Sequence, residues 1–173
     1  MLAKAKTLVK DLERFCKSLG GKPEKTAWDF GCIVNPEKVF ENWNEFLELL
    51  EKAKDNPELH AIYFGREDAY IFYHPERAMG GFRLTKYIPE ILEDEEMADL
   101  HTNVESEFWK HMRSKGIEPE FQFIPRVDVG EWEGKTYIDV EAEVTQPELS
   151  DLKRIAKAML NFKRKLNGLI QKY

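Results

Sequence analysis

Between Pro147 and Tyr173 the apolar residues Leu152, Ile155, Met159, Phe162, Leu166 and Leu169 recur at spacings of three and four. Nearly three heptads of that pattern predict one long helix over 147–171 with a greasy stripe along it, which must be covered by the rest of the fold or by a second chain. The opposite side carries Lys153, Arg154, Lys157, Arg164, Lys165 and Lys172 with no acid among them. At the other end Leu2, Ala5, Val9, Leu12, Cys16 and Leu19 repeat the theme over 2–19, with Lys4, Lys6, Lys10, Arg14 and Lys17 beside the seam and Gly20-Gly21 as a stop.

The segment 26–144 reads differently. Thr26 to Val34 alternates, with Trp28, Phe30, Cys32 and Val34 on one face of a predicted strand. Asn35-Pro36-Glu37 then supplies a capping side chain, a proline at the first helical position and an acid in the positive first turn, opening a helix over 36–55. Leu59–Phe64, Ala69–Tyr73 and Phe82–Tyr87 form a predicted antiparallel meander, with Gly80-Gly81 assigned to a turn, and a helix follows over 94–115. Phe121–Val129 and Thr136–Val144 alternate with period two. A four-residue loop, Glu131–Gly134, sets Val127 opposite Ile138, Pro125 opposite Val140, Phe123 opposite Ala142 and Arg126 opposite Asp139.

The expected fold is a single α+β domain over 1–173, in the order α β α β β β α β β α with an antiparallel-dominated sheet. Without its terminal helices this order contains the β-α-β-β-α-β of the ferredoxin-like motif plus extra strands. Helices 36–55 and 94–115 are expected on one sheet face, and the terminal helices or a partner on the other.

The 173 residues suffice for a real core, and no apolar run or leader-like block points to a membrane, so a cytoplasmic protein is expected. The net charge of −6 is unevenly distributed: seven bases and three acids in 1–25, twelve and 27 in 26–146, seven and two in 147–173. With 23 Glu and 18 Lys but three Gln, the composition is of the hyperthermophile, archaeal kind.

No strong catalytic motif stands in these residues, and no cofactor and no metal site is expected. His101/Glu105 and Glu107/His111 have the four-residue spacing of helical ligand pairs but face different ways. His60 and His74 flank the first hairpin and read as polar residues at strand ends. Asp128 with Glu133-Gly134-Lys135 resembles the acid and Glu-x-Lys arrangement of metal-dependent nucleases, and Asp139, Glu141 and Glu143 make an acidic stripe along one strand. Cys16 and Cys32 read as buried small hydrophobes. Trp132, at a hairpin tip between two acids, is the tryptophan placed to meet a partner.

Three functions follow as expectations. The first is a non-enzymatic binding or assembly protein, a homodimer joined through Leu152, Ile155, Met159, Phe162, Leu166 and Leu169. The second is nonspecific nucleic-acid binding through Lys153, Arg154, Lys157, Arg164 and Lys165. The third is a divalent-metal-dependent enzyme such as a nuclease, built on Asp128, Glu133 and Asp139.

Overall fold

The computed structural model describes residues 3–173, with side chains from Lys6 onward. Leu2, and the side chains of Lys4 and Ala5, assigned above to the first seam and its basic flank, lie outside the described residues. The chain runs α1 (Ala3–Ser18), β1 (Lys22–Lys25), β2 (Asp29–Ile33), α2 (Pro36–Glu41), α3 (Trp43–Lys54), β3 (Ala61–Arg66), β4 (Ala69–His74), β5 (Met79–Ile88), α4 (Asp94–Ser114), β6 (Ile124–Trp132), β7 (Lys135–Thr145) and α5 (Leu149–Ile170). The α+β class is as read, with three local differences. Lys22 to Lys25 is an edge strand rather than a polar connection, and Trp28 precedes its strand and is exposed. The helix over 36–55 is two helices, because Asn42 leaves helical geometry (φ −123°, ψ 36°) and turns its side chain back to the Lys38 carbonyl. Asn35 caps α2 by accepting from the Glu37 amide, as its sequence signal indicates.

Seven strands form one sheet in the order β1-β2-β3-β4-β5-β7-β6. Only β2 and β3 are parallel, joined by the crossover through α2 and α3, and they are neighbours. The ferredoxin-like motif separates its parallel pair by another strand, so this sheet follows a different, nearly sequential order.

The last hairpin closes on Glu133-Gly134 alone, both at positive φ (48° and 78°), as a two-residue turn of matching twist requires. Pairing therefore slips by two from the four-residue-loop expectation: Val127 faces Val140, Pro125 faces Ala142, Val129 faces Ile138 and Arg126 faces Glu141. A slip of two leaves every side chain on its expected face. Gly80 and Gly81 lie inside β5 rather than in a turn.

All five helices pack on one side of the sheet. That side presents Phe30, Cys32, Ile62, Phe64, Ile71, Tyr73, Phe82, Leu84, Ile138, Val140 and Ala142, all buried. Phe46 of α3 meets Phe64 edge-on at 5.1 Å, Phe40 of α2 reaches Phe82, and Leu149 and Leu152 of α5 sit where Gly80 has no side chain. Helix α4 lies against α5 through Phe108 and Phe162 (5.4 Å) and against β6. The terminal helices thus share a face with the others instead of covering the opposite one.

Cys16 and Cys32 are buried, but they are joined as a disulfide that ties α1 to β2. No spacing motif marks the pair in the sequence, because its partners belong to a helix and a strand 16 residues apart. Gly21 sits against the bridge; a Cβ there would lie 2.5 Å from Cys32 Sγ and 3.0 Å from Cys16 Sγ.

Candidate functional site on the uncovered sheet face

Register fixes which side chains share the face that no helix covers. Reading across from β1 to β6, one row is Glu24, Gly31, Tyr63, Phe72, Gly81, Glu143 and Ile124, and the next is Lys22, Ile33, Gly65, Tyr70, Arg83, Glu141 and Arg126. Thr85, Asp139 and Asp128 follow, then Tyr87, Tyr137 and Gly130, and finally Lys135 and Trp132 at the hairpin tip.

Two rings lie flat over glycines on the adjacent strand. A Cβ at Gly81 would collide with the Phe72 ring, and one at Gly130 would lie 2.6 to 2.8 Å from the Tyr137 ring and hydroxyl. Both are directly opposed pairs, so each ring covers backbone that its partner leaves bare.

A charged network crosses the centre of the face. Arg83 donates from Nε (3.0 Å) and Nη2 (2.6 Å) to Glu141 Oε1 and from Nη1 to the Tyr70 hydroxyl (2.9 Å), with its guanidinium over the Tyr70 ring. Arg126 stands at 3.8 Å from Glu141 and 3.6 Å from Glu143. These neighbours leave Glu141 and Glu143 only 4% and 6% exposed on a face without a covering layer. Burial, then the hydrogen bond and charge of Glu141, push the Glu143 carboxyl above its usual range. Burial likewise raises Asp139, against the opposing hydrogen bond from Thr85 (2.8 Å).

The face is uneven at two diagonal corners. Where Gly31 and Gly65 contribute no side chain, a shallow hollow of about 290 Å³ opens between Ile33, Tyr63 and Tyr70, with Glu24, Arg66 and Glu67 at its rim. At the opposite corner Trp132 projects, 58% exposed, beside a cleft it shares with Tyr87, Tyr137 and Asp139. Ile33 and Ile124 are also about half exposed. In the sequence, alternation groups Asp139, Glu141 and Glu143 on one strand face and leaves Trp132 in a loop; that no helix among the described residues covers the face is not legible there.

The expected site residues are distributed as follows. Leu152, Ile155, Met159, Phe162 and Leu166 are buried against the chain's own sheet and α4, with Leu169 packed beside them, so the seam is occupied within the protomer rather than free for a second copy. Arg154, Lys157, Arg164 and Lys165 are exposed on the outer side of α5. Lys153 and Lys157, however, line a groove of about 580 Å³ whose other wall holds Glu37 and Glu41 of α2, and Arg154 donates to the carbonyls of Lys115 and Gly116 at the end of α4.

The nuclease-like set does not converge. Asp128 faces Asp139 across the ladder and accepts from Tyr137 (2.9 Å), Glu133 lies in the turn, and the Lys135 ammonium sits over the Tyr87 ring. Among the described residues no three His, Cys, Asp or Glu come together in a way that could hold a metal ion. His101 donates to the Val127 carbonyl on edge strand β6 (2.9 Å), and His111 is buried against Phe162, donating to the Ala158 carbonyl of α5 (2.8 Å). His60 stacks on Trp28, whereas His74 packs against Tyr63 and Phe72 and bonds the His60 backbone. No helix among the described residues is long and apolar enough to cross a membrane.

Compared with known protein families, curated proteins and solved structures, the chain matches none.

Proposed function

We propose that this is a non-enzymatic binding protein that docks another protein surface on its uncovered sheet face. The carrying observation is the organisation of a face no helix uses: rings held over Gly81 and Gly130, and Arg83 fixed between Tyr70 and Glu141. Side chains immobilised before contact lose less entropy when a partner arrives. Tyr, Trp and Arg, present here as four tyrosines, Trp132, Arg83 and Arg126, are the types that carry most interface energy. The rows of this face carry Glu24, Asp128, Asp139, Glu141 and Glu143 beside Lys22, Arg83, Arg126 and Lys135, a nearly balanced mixture that suits a protein surface better than a polyanion.

Hydroxyl-radical footprinting in an extract of the cells that make the protein tests this reading. Tyr63, Tyr87 and Trp132 are expected to be protected relative to dilute purified protein, with Trp109 on the helical side unchanged. Labelling of all three at the dilute-protein rate under every condition would remove the proposal.

A second reading keeps nonspecific nucleic-acid binding on the outer side of α5, favoured by the exposure of Arg154, Lys157, Arg164 and Lys165 together. The acids of α2 oppose it at Lys153 and Lys157. Duplex binding by fluorescence anisotropy at low salt is its test. A log–log salt slope of about −3 to −4, shrinking when Lys157, Arg164 and Lys165 become Glu, is the expected signature. No binding at low salt would end this reading.

A further inference from the structure

We propose that the partner on the sheet face is a second copy of this chain, with Trp132 of each copy seated in the Gly31/Gly65 hollow of the other. This rests on the docking reading above and names its occupant.

The knob and the hollow suit each other chemically. An indole buries a large apolar body and needs a partner for its one N–H. The hollow offers Ile33, Tyr63 and Tyr70 as walls, and Glu24 and Glu67 at the rim to accept that proton. Arg66 at the same rim lies where a guanidinium can meet the ring face.

Both features belong to one sheet face, which decides the symmetry. A knob fitting a pocket elsewhere on a molecule generally builds open chains. Here a two-fold axis lying in the face, midway between the corners, exchanges them, so both contacts form at once and the assembly closes as a dimer. The same axis brings the central rows of the two copies together. At the centre their charges are of both signs, with Arg126 (side chain 61% exposed) next to Asp128 and the Glu141/Glu143 pair, so the middle of one copy meets complementary groups; at the corners Arg66 is the counter-charge to Glu131 and Glu133 beside the knob.

The size also fits. Six inter-strand gaps of about 4.8 Å and strands of four to 11 residues, averaging about 24 Å in length, give a face of about 700 Å², near the ~800 Å² per partner of a standard stable interface. The alternative of joining sheets edge to edge is opposed at β6, where Pro125 has no amide to donate and His101 already occupies the Val127 carbonyl.

Sedimentation equilibrium on the purified chain, with two variants, tests the inference. Trp132→Ala removes the knob from an exposed tip. Gly31→Leu fills the hollow at a position where a Cβ meets nothing closer than 3.6 Å. The wild type is expected at twice the 20.3 kDa of the chain and each variant at the monomer mass, with an unchanged near-UV spectrum. An equimolar mixture of the two variants is expected to recover dimers, because one knob and one hollow survive in the mixed pair. If Gly31→Leu perturbs the spectrum, Ile33→Glu at the rim replaces it in the same mixture. A wild-type monomer at all concentrations overturns the inference; if the sheet face is nonetheless protected in extract, the docking reading survives with a different protein as partner. A dimer that persists in both variants also overturns it.

Discussion

Glu143 is nearly out of water on a sheet face that nothing covers, because Glu141, Arg126 and the flanking strands close around it. Its carboxyl is held above the usual range, chiefly by burial. A carboxyl raised in the folded state binds more protons there than in the unfolded chain, so stability falls as pH rises from the ordinary carboxyl range through the folded value. Glu143→Gln is therefore expected to gain stability relative to wild type at neutral pH, with the difference shrinking near pH 4; urea midpoints at the two pH values measure it. His111 gives the opposite slope. Burial lowers its pKa, so the neutral ring that bonds Ala158 is the stable form. Stability is expected to drop as pH falls from about 7 through the ordinary histidine value of ~6.5, and the drop to be smaller in His111→Gln.

The last hairpin turns on a left-handed glycine. Gly134 lies at φ 78°, and Gly134→Ala is expected to cost about 1 kcal/mol or more in urea unfolding, because a Cβ is strained there. Where α1 meets β2, reduction of the Cys16–Cys32 bridge, or Cys32→Ser, is expected to cost roughly 3 kcal/mol for a loop of this length. Alternation made the faces of β6 and β7 legible, since parity survives a slip of two residues. It did not reveal the register, because Glu131 and Trp132 look like loop residues until the sheet extends over them. Strand β1 stayed hidden for a related reason: Lys22-Pro23-Glu24-Lys25 has no apolar alternation, and its pairing with β2 at the sheet edge makes it a strand. The heptad stripe of α5 specified a buried face but not its cover. Phe82, Leu84 and Phe108 compete with a second helix for the same contact, and only tertiary placement decides between them.

At the scale of the molecule, the described residues put five helices on one side of the sheet and none on the other, a two-layer body with chemically different surfaces. The helical side keeps exposed bases on α5, partly balanced by Glu37 and Glu41, while the sheet side gathers aromatics and paired charges. In the sequence, the apolar excess of the terminal helices is the ground for proposing self-association. Its proposed location moved, because the fold takes up the seam residues and leaves Trp132 outside. Adding salt should separate the two surfaces: an interface led by Trp132 and Ile33 is expected to persist at 1 M NaCl, whereas attachment through α5 to a polyanion should vanish. Sedimentation and anisotropy on the same samples read the two outcomes.

The rings laid over Gly81 and Gly130 also bear on heredity. Phe72 with Gly81, and Tyr137 with Gly130, each act as one unit across two strands, since no side chain can enter at the glycine while the ring lies there. In descendants of this chain, a small residue at 137 would free position 130 to vary, whereas position 81 stays glycine whatever stands at 72, because a Cβ there would also lie 2.3 Å from the Ala142 carbonyl oxygen. Drift at 130 and 137 should therefore proceed as a pair, while 81 stays fixed on its own account.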